Sequence, residues 1–388
     1  MDKSYFEMLD PLGLGLALIY IFILSQVLLV VAKRLDVDIS YRTIVSIFSY
    51  FFLIFLIGTF TDSVANLPDT RLFSTLIIEN EIPARTSLGV KLFYYISYPI
   101  RVLSFFKLEV FIVFQIAILI LSLMILWKSW QIVLIYNGQN KQLGINIFVW
   151  LSLVYPAFLL YIPVPLREFA ILLGMSILTY GLVAKYYHEK SMLFIILGSI
   201  IVMFVRPQLV VIVILFFAIF QKDKRVKILL IVSSLFLIPI VFTSFMHISF
   251  TPEYFTQLRA RYQDVLGVHA YGAFEWHSYV DMVMDAPLLF LQFIFSPFPV
   301  LHRLNPLDFF AILLDVLFTI VIYLSVIYAG IRVSKVYVFI FLLSSFMFSM
   351  WEFYIFGAVR HRMPLVAILL PVASYGILKF YQDVKRRV

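Results

Sequence analysis

The sequence predicts an all-α protein, a polytopic transmembrane bundle of about eleven spans, and three observations carry that prediction. Hydrophobic residues make up 63% of the 388-residue chain and charged residues only 13%, with a mean hydropathy of +1.01. A water-soluble domain carries about 25% charged residues, because its surface must be solvated. The second observation is a succession of apolar runs, each close to the roughly 20 residues a helix needs to cross the hydrocarbon. The third is the unequal sharing of basic residues between the segments that join those runs.

In order, the runs fall at about 12–32, 43–60, 109–127, 143–162, 168–184, 191–205, 208–220, 228–246, 308–330, 336–356 and 364–378. The sixth and seventh are short and read as a bent pair around Arg206-Pro207. The start, MDKSYFEMLDP, is acidic and precedes an apolar run longer than a signal-peptide core, so the first span is expected to stay. No repeat, heptad pattern or linker divides the chain, which reads as a single integral-membrane domain over residues 1–388. With no cysteine, disulfides and Cys-ligated metal or iron–sulfur sites are excluded.

Orientation follows from Lys and Arg. One set of connections (33–42, 128–141, 185–190, 222–227, 332–335 and the tail from Lys379) holds eleven Lys and six Arg of the thirty basic residues. Short loops so enriched face the cytoplasm, so the N-terminus is expected outside and the C-terminus inside. The net charge of +8 is therefore a topology signal and not a nucleic-acid footprint. The outer side holds three Lys and ten Arg: Arg71, Arg85, Arg101, Arg167, Arg206, Arg259, Arg261, Arg303, Arg360 and Arg362. Arginine presents a planar fork suited to phosphate and carboxylate, whereas lysine is a point charge. As a set these arginines suggest an anionic ligand; singly, each also reads as a headgroup anchor or an ion-pair partner.

Two outer connections are long, at about 61–108 and 247–307. The second carries Tyr254, Tyr262, Tyr271, Trp276 and Tyr279, either a sugar-stacking platform or an interfacial aromatic belt. Its apolar end, Ala286 to Leu301, is interrupted by Pro297 and Pro299 and reads as re-entrant or interfacial.

Sharper signals come where proline meets arginine at the start of a run: Pro165-Leu166-Arg167-Glu168, Arg206-Pro207 and Arg360-His361-Arg362-Met363-Pro364. Proline suits a first helical turn, and a helix start offers free N–H groups and a positive dipole end to an anion. Three such starts at one face would cradle a diphosphate; the alternative is that these arginines snorkel to the interface. Candidate acids are Asp62, Glu168, Glu275, Asp281, Asp308, Asp315 and Glu352, with Asp315 and Glu352 inside expected spans and so needing a partner or a wet cavity. Glu168 is either an ion-pair partner of Arg167 or a base. His247, His269, His277, His302 and His361 all lie outside, and no two have the spacing of a helical zinc site, so no metal is expected.

PLREFAILLGMSILTYGL, VRPQLVVIV, FSPFPVL and GAVRHRMPLVAILL together resemble bacterial polytopic glycosyltransferases that use polyprenyl-linked sugars. Within that class, the length, the span number and the late Arg-rich outer loop resemble oligosaccharide-repeat-unit (Wzy-type, O-antigen) polymerases more than GT-C-like enzymes. GT-C-like enzymes often carry an acidic pair after the first span and a soluble C-terminal domain; here Asp62 follows the second span and no such domain follows. The resemblance implies a metal-independent transferase in the bacterial cytoplasmic (inner) membrane, without cofactor. Its partners would be membrane lipid, a polyprenyl-diphosphate-linked glycan and other polysaccharide-assembly proteins. It implies catalytic roles for Glu168, Asp62, Arg360 and Arg362, and substrate binding by Arg167, Arg206, Arg259, Arg261, Arg303 and His361. The alternatives are a flippase of lipid-linked sugars, a GT-C enzyme that transfers a single sugar, and a non-enzymatic assembly subunit.

Overall fold

The computed structural model describes residues 8–60, 70–82, 88–187, 191–206, 209, 213–215, 218, 223–240, 243, 249, 251–266, 271, 274–296, 306–352 and 354–386. These residues form an all-helical protein, with seven helices long and apolar enough to cross a membrane. Those seven are α1 (Pro11–Arg34), α2 (Tyr41–Phe60), α5 (Leu108–Tyr136), α8 (Glu168–Tyr186), α13 (Pro306–Ala329), α14 (Ile331–Trp351) and α15 (Ile355–Lys385). Between them lie α3 (Thr70–Ile78), α4 (Leu88–Leu103), α6 (Ile145–Val154), α7 (Pro156–Tyr161), α9 (Met192–Val205), α10 (Lys224–Ile240), α11 (Pro252–Leu266) and α12 (Tyr279–Ile294).

The core is built around α5, α8 and α15, each with 72% of its apolar window buried, against 22% for α1 and 33% for α2 and α13. Small residues predominate in the buried stripe of α1, whereas α2 buries Phe48, Phe51, Phe52 and Phe55. Along α1 the buried stripe is Gly13, Ala17, Ile21, Ser25, Leu28 and Ala32, while Leu18, Phe22, Val27 and Val30 face outward. Lipid solvates large apolar groups as well as the protein does, so the small residues take the interface, where they let backbones approach. The same logic joins α8 to α9. A Cβ on Gly198 would stand 2.5 Å from the Leu178 nitrogen and 2.8 Å from the Gly174 carbonyl oxygen, so only glycine fits.

Three departures from the sequence expectation matter for the site. The run at 143–162 is broken: Tyr155 is extended and Pro156 opens α7. Proline forces its predecessor out of the helical region and removes an N–H, so the helix must end there. Second, α15 begins at Ile355 and passes through Pro364 and Pro371, so Arg360, His361 and Arg362 lie inside a helix and not at its start. Packing of α15 against α8, α13 and α14 holds the helix together across both prolines, since unwinding it there would leave backbone groups unpaired in an apolar medium. Third, Glu352 lies outside the helical run of α14 and caps its C-terminus at the break before α15, where its N–H donates to the Phe348 carbonyl at 3.0 Å.

The run expected at 208–220 falls largely outside the described residues, and that at 228–246 coincides in part with α10, which is too short to count among the seven. The long connections contain helices: α3 and α4 in the first, α11 and α12 in the second.

Candidate functional site

The broken segment between α6 and α8 is the first element of the site. A chain leaving the helix inside an apolar bundle must find other partners for its amides. Gln115, an amide in the apolar surface of α5, supplies them: its Nε2 donates to the carbonyls of Ile162 (3.1 Å) and Val164 (2.9 Å), and its Oε1 accepts from the Leu166 N–H (2.9 Å). The Tyr161 hydroxyl donates to the Phe356 carbonyl at 2.8 Å, which ties the same segment to α15. The chain so held delivers Arg167 as the N-cap of α8 and Glu168 as its first residue.

Glu168 is buried and sits at the centre of a cationic cluster drawn from the start of α8, the C-cap of α9 and the second turn of α15. Its Oε1 accepts from Arg206 Nη2 at 2.8 Å, and lies 3.3 Å from Arg360 Nε, 3.5 Å from His361 Nε2 and 3.9 Å from Arg167 Nε. Arg206 comes from the C-cap of α9, and Arg360 and His361 from the second turn of α15. His361 bonds through Nδ1 to Glu352 Oε2 and through Nε2 to the Arg206 guanidinium. Phe348 stacks on the imidazole at 5.2 Å. Three guanidinium groups thus meet two carboxylates around one imidazole, an excess of positive charge within the apolar bundle. Glu168 Oε2 and Arg206 Nε are buried without a hydrogen-bond partner among the described residues.

Five of the sequence-nominated residues therefore converge: Arg167, Glu168, Arg206, Arg360 and His361. The cradle of three helix N-termini is not formed at Arg360, which lies within α15; Glu168 stands in the first turn of α8, and Arg206 caps the C-terminus of α9, with the helix start expected after it outside the described residues. The positive charge at the site comes from guanidinium groups instead.

The other nominated residues lie elsewhere. Arg362 is fully buried, pairs with Asp315 on α13, and donates to the carbonyls of Phe293 (3.1 Å), Ile294 and Ser296 (3.3 Å) at the end of α12. It is a pin between α12, α13 and α15, and it gives Asp315 the partner its burial demands. Arg259 is buried on α11 against the faces of Phe274 (5.0 Å) and Trp276 (5.1 Å), while Arg261 is exposed on the same helix. Asp62 and Arg303 lie outside the described residues. Arg101, among the arginines expected outside, is also structural: buried on α4, it donates to the Tyr94 carbonyl at 2.7 Å and to Asn80. The aromatic residues of the second long connection do not form one open platform, because Trp276 is buried while Tyr279 is exposed.

Two residues of the site gain no role from the sequence. Glu352 stands among the candidate acids inside an expected span, and only the break between α14 and α15 brings it to His361. Gln115 carried a signal, a lone amide in LEVFIVFQIAIL, but nothing in the sequence says which backbone it serves. Comparison with known proteins returned no match to a family model, to a curated protein or to a solved structure.

Proposed function

We propose that the chain is a glycosyltransferase of the bacterial cytoplasmic membrane that transfers or polymerises glycan from a polyprenyl-diphosphate carrier at the outer face, in surface-polysaccharide (O-antigen type) assembly. One observation carries the reading: Arg167, Arg206 and Arg360, from three separate helices, converge on one buried locus with more positive than negative charge. Placing charge in an apolar bundle is costly and tends to be functional. Guanidinium forks fit phosphate oxygens, and held in place they would stabilise the charge that develops on a departing diphosphate. Glu168 is the counter-ion that keeps the three arginines together before substrate arrives.

In this reading the chain crosses the membrane about eleven times, with the N-terminus outside and the C-terminus in the cytoplasm, which puts the cluster near the outer face. Arg261, exposed on α11, is available to the glycan.

The test is Arg206→Ala and Arg360→Ala in the host, with surface glycan resolved on a gel beside the deletion strain. The expected result is that each change lowers polymer output by about 100-fold, the cost of removing one preorganised charge-stabilising donor. Normal chain length with either change would remove that arginine from the mechanism. In the deletion strain, collapse of a ladder to one repeat unit identifies a polymerase. Loss of one sugar identifies a single-sugar transferase, and loss of all glycan a flippase.

A further inference from the structure

Glu352, His361 and Gly357 form a unit that the charge-stabilising role of the arginines leaves unexplained. His361 is gripped at both ring nitrogens. Nδ1 meets Glu352 Oε2, and Nε2 faces the Arg206 guanidinium as its nearest neighbour, with Arg360 Nη2 at 3.4 Å and Glu168 Oε1 further off at 3.5 Å. A guanidinium can only donate, so Nε2 is the acceptor and Nδ1 carries the proton, donated to Glu352. Glu352 is itself fixed: its Oε1 accepts from the Tyr354 N–H at 3.1 Å. Gly357 leaves the room this needs, since a Cβ there would stand 2.9 Å from the Glu352 carboxyl carbon. Phe348 packs on the ring face and sets its plane. A base held by an orienting carboxylate, with its second nitrogen an acceptor, is the arrangement that serves nucleophile activation on many folds.

We propose that His361 is the proton acceptor of the transfer reaction, that Glu352 is its positioning residue, and that Arg206 and Arg360 mask Nε2 until a diphosphate draws them away. The proposal rests on the diphosphate reading above. In the step itself, the acceptor hydroxyl oxygen forms a bond to the sugar C1. The bond from C1 to the diphosphate oxygen breaks, and its electron pair leaves with the diphosphate, which the arginines hold. The hydroxyl proton passes to His361 Nε2, and the resulting imidazolium is stabilised by Glu352 until it returns the proton to water. Masking ties the base to substrate: without a diphosphate, Nε2 is occupied by guanidinium donors and unavailable to water or to an unpaired acceptor.

The full chain in lipid nanodiscs, labelled with 15N-histidine and with His361 assigned by His361→Gln, allows the test. The probes are inorganic pyrophosphate and a polyprenyl diphosphate, and turnover is followed with lipid-linked glycan extracted from host membranes. The expected spectrum without ligand shows the Nδ1–H tautomer, and saturating pyrophosphate moves the Nε2 resonance. Glu352→Gln is expected to lower kcat by about 100-fold, the usual weight of a general base, with KM unchanged within about twofold. Glu352→Asp is expected to recover most of that loss, which a purely structural role would not require. An Nε2–H tautomer, a resonance unmoved by bound pyrophosphate, or an unchanged kcat in Glu352→Gln each overturns the proposal while leaving the diphosphate reading in place. Failure of both probes to bind the wild-type chain overturns that reading itself and the proposal with it.

Discussion

Replacing Arg362 by methionine removes the cation from a fully buried pair and leaves Asp315 charged in the interior of the bundle. The same change deprives the carbonyls of Phe293, Ile294 and Ser296 of a donor. Breaking a buried pair from one side costs about 3–5 kcal/mol, because the surviving charge keeps its desolvation penalty without its partner. Removing both charges in Asp315→Leu/Arg362→Met takes away that penalty and leaves the orphaned carbonyls and the Ala157 N–H that Asp315 accepted from, at about 1 kcal/mol each. The double variant is therefore expected to be more stable than Arg362→Met alone, with a coupling energy of about 2 kcal/mol or more. The assay is a double-mutant cycle on the purified protein in bicelles, unfolded reversibly and followed by tryptophan fluorescence. Penalties that add within about 0.5 kcal/mol would refute the reasoning, since uncoupled sites behave in that way. Pyrophosphate affinity measured on the folded double variant then separates the pin from the site: it is expected to match wild type within about threefold, as neither residue touches the Glu168 cluster.

Two further outcomes follow from the geometry. Gln115→Leu leaves the carbonyls of Ile162 and Val164 and the N–H of Leu166 unpaired. It should destabilise the protein by about 2–4 kcal/mol and weaken pyrophosphate binding, measured by calorimetry, because Arg167 and Glu168 lose their anchor. Asp281 caps α12, and the His277 N–H, with the Ser278 side chain and N–H, holds its carboxyl below the usual carboxylate range. A carboxyl depressed in the folded state contributes stability that is present above its unfolded value and lost as pH falls through the folded one. Hydrogen-exchange protection of the first turn of α12 should therefore fall below about pH 4 in wild type, and Asp281→Asn should remove that pH dependence.

What the sequence made legible was local. Apolar runs of spanning length became the seven long helices, because burial of backbone in lipid leaves a helix few alternatives. Arg167 and Glu168 were legible as the start of α8, since Pro165 ends the preceding segment and the acid suits a first helical turn. The excess of arginine over lysine in the connections expected outside pointed to the set from which the cluster is drawn. What stayed hidden depended on tertiary contacts. Pro364 reads as a helix start in isolation, yet α15 is held through it by the helices around it. Arg360 and Arg362 stand two residues apart and look alike in the sequence. Their positions on the helix send one to Glu168 and the other to Asp315, and only the placement of α8 and α13 decides which is which.

Three charged groups of the site sit where helices fail, and Arg360 and His361 reach them from within α15. Glu168 follows the break after α7, Arg206 closes α9, and Glu352 occupies the gap between α14 and α15. An uninterrupted helix satisfies its own backbone and offers an apolar bundle only side chains, whereas each break exposes amides that need polar partners and makes room for them. Gln115 at the first break and Glu352 at the last show the two ways this is met: one side chain is consumed by the backbone, while the other bonds a single amide and keeps an oxygen for His361. Irregular backbone inside a membrane protein is tolerated where it lines a cavity or a site. The breaks and the charges therefore have one explanation, and straightening any one of these junctions would remove a charged group from the cluster along with the irregularity.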